Sequence, residues 1–182
     1  SGGSSSGPGA ATAAGLVAFA IGSETSGSII TPSAFCDVSG LRPTYGRVSR
    51  HGAMALAWTL DKLGPMCRSA ADCGYVLATI AGYDPRDSAS LDSPVPDYLA
   101  TIASSTSPLR LGIPHDYFYD EVDSEIQKSI ETALTVLESL TASRKNIGPL
   151  ATNSSYSSWT DIYGPIFTAE AYAFHKDHLE KT

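Results

Sequence analysis

The sequence predicts an α/β layered fold. Three observations carry that prediction. Apolar runs of strand length at residues 16–21, 38–41 and 109–113 alternate with stretches of helical period at 69–81 and 124–140. Sixteen glycines and eleven prolines punctuate the chain without any fixed repeat. A hydrophobic share of 42% with 17% charged residues, over 182 residues, suits one ordinary domain with a real core.

Residues 8–15 are alanine-rich, with Pro8 in a tolerated first-turn position and Gly15 as a stop, and predict a helix packed into the interior. The glycine-bounded run at 16–21 predicts a buried strand. Residues 31–35 suit a turn or one helical turn, 38–41 a short strand, and 61–65 a turn. In 69–81, Ala70, Cys73, Val76, Leu77 and Ile80 recur at helical spacing behind a Ser69/Asp72 capping box. Residues 84–108 read as a long polar loop holding one helical turn around Tyr98-Leu99-Ala100. Residues 109–113 predict a strand. In 124–140 a stripe of Ile126, Ile130, Ala133, Leu134, Leu137 and Leu140 follows a Ser124/Gln127 capping box. A last helix is expected over 163–179.

The net charge of −7 is unevenly placed. Residues 1–72 hold five basic and four acidic side chains, and 73–182 hold seven and fifteen. No contiguous basic stretch exists to follow a phosphate backbone, so direct nucleic-acid binding is not expected. Cys36, Cys67 and Cys73 are odd in number and contain no C-x-x-C pair. They read as structural thiols in a reducing, cytoplasmic setting rather than as a disulfide framework or zinc site. No signal-peptide pattern opens the chain, and the longest mostly apolar run, 10–21, is too short for a bilayer, so no membrane span is expected. His51, His115, His175 and His178 have no motif-like setting. His175 and His178 lie three apart, yet no carboxylate–histidine motif accompanies them, so neither metal nor cofactor is expected.

Chemistry concentrates in two loops, Gly2-Gly3-Ser4-Ser5-Ser6-Gly7 and Gly22-Ser23-Glu24-Thr25-Ser26-Gly27-Ser28. Small residues let backbone amides approach a substrate and let the chain take conformations that bulky residues refuse. A serine hydroxyl attacking an amide needs a base and donors for the oxyanion. Thr25, Ser26, Gly27 and Ser28 could offer consecutive N–H groups toward one point. By composition alone such a loop is more often structural. Gly3-Ser4-Ser5-Ser6-Gly7 also satisfies G-x-S-x-G, the nucleophile elbow of α/β-hydrolases, which needs a preceding strand and a triad histidine.

The run from Gly2 to Ser28 continues into Pro32-Ser33-Ala34-Phe35-Cys36, Gly40-Leu41-Arg42-Pro43-Thr44-Tyr45-Gly46-Arg47-Val48-Ser49 and Leu63-Gly64-Pro65-Met66. Together these closely resemble the amidase signature family. Weaker similarity runs through residues 81–87, 109–114 and the Ala169-Glu170-Ala171 helix. The resemblance implies an amidase-signature-like layered fold with a mixed β-sheet core flanked by helices, present as an incomplete fragment of one domain: a signature core at 1–90, a loop at 91–108, and a strand and helices at 109–182. It implies an amide hydrolase with a Ser–cis-Ser–Lys triad, in which Ser28 is the nucleophile and Ser4 the bridging serine after a cis Gly3–Ser4 peptide. Thr25 to Ser28 would supply the oxyanion hole, and ammonia or an amine would leave a small-molecule carboxamide. The alternatives are the glutaminase subunit of a tRNA-dependent amidotransferase, which has partner subunits, and a catalytically inactive truncated product. Ser26 stands where the family usually has glycine, and Ser6 and Pro8 also depart from its first loop. The family lysine belongs to a segment N-terminal to Ser4, and Lys62, Lys128, Lys145, Lys176 and Lys181 match no lysine motif.

Overall fold

The computed structural model describes residues 1–104, 109–114, 119, 122–148 and 156–180. His115 and Lys181 lie outside the described residues. The chain divides into two compact units, residues 1–104 with 161–182, and residues 105–160.

The first unit contains α1 (Ser6–Ala13), β1 (Phe19–Glu24), α2 (Ile30–Cys36), β2 (Ser39–Gly40), β3 (Lys62–Cys67), α3 (Ala70–Ile80) and α4 (Tyr98–Ala103). Its three strands form an antiparallel sheet in the order β1-β3-β2. β1 runs against β3 from Phe19↔Cys67 to Glu24↔Lys62. The central strand is a correction to the turn expected at 61–65. Pro65 lacks an N–H and is usually confined to sheet edges. Here it faces Ile21, its carbonyl accepts Leu41 N–H at 3.0 Å, and the β2 pairing extends only over Ser39 and Gly40. The missing donor therefore falls where the β2 ladder stops.

β1 also differs from the expected buried apolar strand at 16–21. Phe19 and Ile21 are exposed, and the inward positions are Gly22 and Glu24. Alternation dictates this, because residues two apart share a face. Gly22 is required there: an added Cβ would lie 2.9 Å from Met66 Sδ and 3.0 Å from both Ile29 Cγ1 and Ser5 Oγ. α1 likewise buries Gly9 and Thr12 and leaves Ala10, Ala13 and Ala14 exposed, contrary to the alanine-packed helix expected. The fully buried side chains Thr12, Ile29, Pro32, Pro65, Met66, Cys67 and Cys73 form the core beneath both serine loops. Burial pushes the Cys67 thiol up to about 12, consistent with an inert structural role. α3 forms where its periodicity places it, with the Ser69 hydroxyl accepting from Asp72 N–H at 3.1 Å.

The second unit is a β–α–β arrangement: β4 (Arg110–Pro114), α5 (Ser124–Leu140) and β5 (Ser143–Ile147). β4 and β5 are parallel, a pairing that needs a crossover of helical length. Asp123, not Ser124, caps α5, accepting from Glu125 N–H at 2.8 Å. Of the α5 stripe, Leu134 is buried, whereas Ile126, Leu137 and Leu140 are exposed. α6 spans Tyr156–Leu179, beginning earlier than expected and carrying Pro165 inside it, and from Asp161 onward it belongs to the first unit. Among the described residues no helix is long and apolar enough to cross a membrane.

Candidate active site

Ser5 ties the two serine loops together. Its backbone N–H donates to the carbonyl of Ser28 at 3.1 Å. Its hydroxyl donates to Ser23 O at 3.0 Å and accepts from Ser23 N–H at 3.1 Å, which fastens the first loop to β1. Ser5 is 5% exposed. A nucleophile elbow needs an exposed, unengaged hydroxyl at this position. The G-x-S-x-G reading therefore fails on geometry. The neighbouring Gly3–Ser4 peptide is cis, and Ser4 is exposed.

The second loop is held from several sides. Ile29, next to Ser28, is fully buried and anchors the chain just beyond the serine. The buried Glu24 carboxylate accepts the N–H groups of Ile29 at 2.8 Å and Ile30 at 3.1 Å, the orphan donors at the head of α2. The Thr25 hydroxyl donates to Asp61 Oδ1 at 2.5 Å, and Lys62 Nζ donates to Thr25 O at 3.1 Å. Asp61 accepts in turn from Leu56 N–H at 2.7 Å and Ala57 N–H at 3.0 Å. Gly27 has φ +86°, a left-handed conformation that L side chains rarely adopt. Among the described residues, the Ser26, Gly27 and Ser28 amides donate to no protein acceptor, and no hydrogen bond joins the Ser4 and Ser28 hydroxyls.

A cavity of about 360 Å³ opens beside these loops. Ser4, Ser23 and Thr25 line one side, and Tyr45, Leu56 and Trp58 are among the residues lining the rest. Ser28 is half-buried and is not among the lining residues. Arg50 and Asp87 brace the cavity wall with an ion pair at 3.1 Å, and Arg50 lies 4.7 Å from the Tyr45 ring centroid. The Arg50 hydrogen bonds hold the Asp87 carboxyl down at about 2. Among the described residues no cluster of three or more His, Cys, Asp or Glu side chains could hold a metal ion.

Residues 1–181 match the family model described as Amidase. The chain belongs to the amidase family. It is 53% identical over 141 residues to the A-subunit of the glutamyl-tRNA(Gln) amidotransferase of Chromohalobacter salexigens, covering 78% of this chain and 29% of that protein. Its fold superposes on the corresponding A-subunit of the Thermotoga maritima glutamyl-tRNA(Gln) amidotransferase with a TM-score of 0.83 at 32% identity, over 94% of this chain and 37% of that one. The native peptide amidase of Stenotrophomonas maltophilia gives 0.77 at 33% identity, over 97% and 37%. The chain thus spans about a third of the length of the relatives it matches.

On this amidase-family chain the two serine loops stand out in the sequence as runs of small residues, whereas the bonds by which Ser5, Glu24 and Asp61 hold them do not, and Lys62 stands out there only as lacking a lysine motif. The available signal was register: once β1 is paired with β3, Glu24 and Lys62 face each other at the mouth of the loop. His175 is a packing residue, its Nε2 lying 2.9 Å from Ala55 O.

Proposed function

We propose that the protein is an amide hydrolase in which Ser28 forms the acyl-enzyme. The Ser28 hydroxyl attacks the amide carbon and passes its proton to Ser4. Ser4 gives its own proton to a base, which by the family resemblance is a lysine N-terminal to these residues. The N–H groups of Thr25 to Ser28 hold the developing oxyanion, ammonia or an amine leaves with a proton, and water hydrolyses the ester. The observation that carries this reading is the 3.1 Å bond from Ser5 N–H to Ser28 O, which sets the backbones of the two loops side by side. The three amides without protein acceptors support it further. The test is labelling of the full-length protein with a serine-directed fluorophosphonate. Labelling at Ser28 that Ser28→Ala abolishes supports the proposal, and labelling that survives Ser28→Ala overturns it.

A second reading, the glutaminase subunit of a tRNA-dependent amidotransferase, is favoured by the 53% identity to an amidotransferase A-subunit. Ammonia release from glutamine that rises on adding partner subunits would select it. Hydrolysis of simple amides, indifferent to such partners, would select a free-standing amidase.

A further inference from the structure

Lys62 is 9% exposed, yet its ammonium donates to a backbone carbonyl, Thr25 O at 3.1 Å, rather than to a carboxylate. Burying an ammonium is costly, and burial together with the facing Arg42 and Arg50 lowers the affinity of this amine for its proton, while Glu24 and Asp61 act the other way. Thr25 is the first residue beyond the β1–β3 ladder, which ends at Glu24↔Lys62. Its carbonyl has therefore left the sheet, and Lys62 supplies the lost partner. Asp61 takes the hydroxyl of the same residue at 2.5 Å. Two consecutive residues thus fix both polar oxygens of Thr25.

The consequence follows from peptide planarity. In a trans peptide the C=O of one residue and the N–H of the next point in opposite directions. Pinning Thr25 O onto buried Lys62 directs the Ser26 N–H away from the core. Beyond it, Gly27 at φ +86° is a pivot with no Cβ to restrict it. We propose that Lys62 is a positioning residue for the oxyanion donors: by fixing the Thr25 carbonyl it aims the Ser26 N–H at the point where the amide oxygen gathers charge. This deepens the amide-hydrolase reading and rests on it.

The experiment compares Lys62→Met and Lys62→Gln with the unmodified full-length protein, using the rate of fluorophosphonate labelling at Ser28 and the kcat and KM for ammonia release from a simple carboxamide. Misaiming one oxyanion donor costs on the order of tenfold to a hundredfold in rate. Lys62→Met is expected to lose that factor in labelling and kcat with KM within about twofold, and Lys62→Gln, which keeps an N–H donor, to recover most of it. Wild-type rates in Lys62→Met, or equal losses in both variants, overturn the proposal. If Lys62→Met does not fold, Lys62→Ala is assayed with added ethylammonium. Restored labelling supports the proposal, and labelling unchanged by the amine overturns it. Failure of the unmodified protein to label at Ser28 would instead overturn the amide-hydrolase reading.

Discussion

Glu24 closes β1 directly opposite Lys62, which opens β3, and the two side chains hold opposite ends of the loop that carries Ser28. Lys62 grips the entry at Thr25 and Glu24 grips the exit at Ile29 and Ile30. The last rung of an antiparallel ladder thereby becomes a frame for a four-residue turn.

The exit grip predicts a stability effect. Glu24→Ala would leave the Ile29 N–H buried without its acceptor and remove the part-buried bond to Ile30, a loss of about 1 to 3 kcal/mol. Glu24→Gln keeps an uncharged oxygen for them and should lose about half as much. The Arg42 contact at 3.7 Å is with a half-exposed guanidinium and adds little. Urea unfolding of the three proteins checks this, and equal midpoints for Ala and wild type would remove Glu24 from the account.

Ser5 separates two roles that its sequence context confuses. Ser5→Ala removes both hydroxyl bonds to Ser23 but keeps the N–H bond to Ser28. Stability should fall by about 1 to 2 kcal/mol, with fluorophosphonate labelling retained at Ser28. Complete loss of labelling in a folded Ser5→Ala protein would contradict a merely structural Ser5.

These residues mark where the sequence was readable. The serine loops stood out because close backbone approach demands runs of small residues, a local signal. α3 and α5 stood out through their period. The Thr25 clamp is not local: Asp61 and Lys62 lie 36 and 37 residues from it. Gly64 and Pro65 make their strand look like a turn. β5 was missed because Ser143-Arg144-Lys145-Asn146-Ile147 is largely polar and lacks an apolar run. β1 was misread because its buried face carries a glycine and a carboxylate, which hydrophobicity does not reveal.

The Arg50–Asp87 pair predicts a pH window. Asp87 titrates at about 2 in the folded chain, against a value near ~4 when unfolded. A depressed carboxyl contributes stability above its unfolded value and loses that stability as pH falls through its folded value. The pair should therefore add on the order of 2 kcal/mol at neutral pH, lost between about pH 4 and 2. Thermal midpoints of wild type and Asp87→Asn should converge across that window as it is descended. A constant gap would show that the pair is not the source.

The cavity wall is also held from far along the chain. Glu170 on α6 accepts from Thr59 N–H at 3.0 Å and from the Thr59 hydroxyl at 2.6 Å, and the neighbouring Leu56 and Trp58 line the cavity. A charge-assisted hydrogen bond is worth about 1.5 to 3 kcal/mol. Glu170→Ala should let residues 55–59 move and raise KM for a carboxamide by about threefold to tenfold, since tenfold corresponds to roughly 1.4 kcal/mol. The Ser28 loop keeps its Glu24 and Lys62 bonds, neither of which involves residues 55–59, so kcat should stay within about twofold. Glu170→Gln keeps one acceptor and one donor and should lie between. Steady-state kinetics on the full-length protein decide the point: a fall in kcat at constant KM would mean that α6 supports the serine loop instead of the wall.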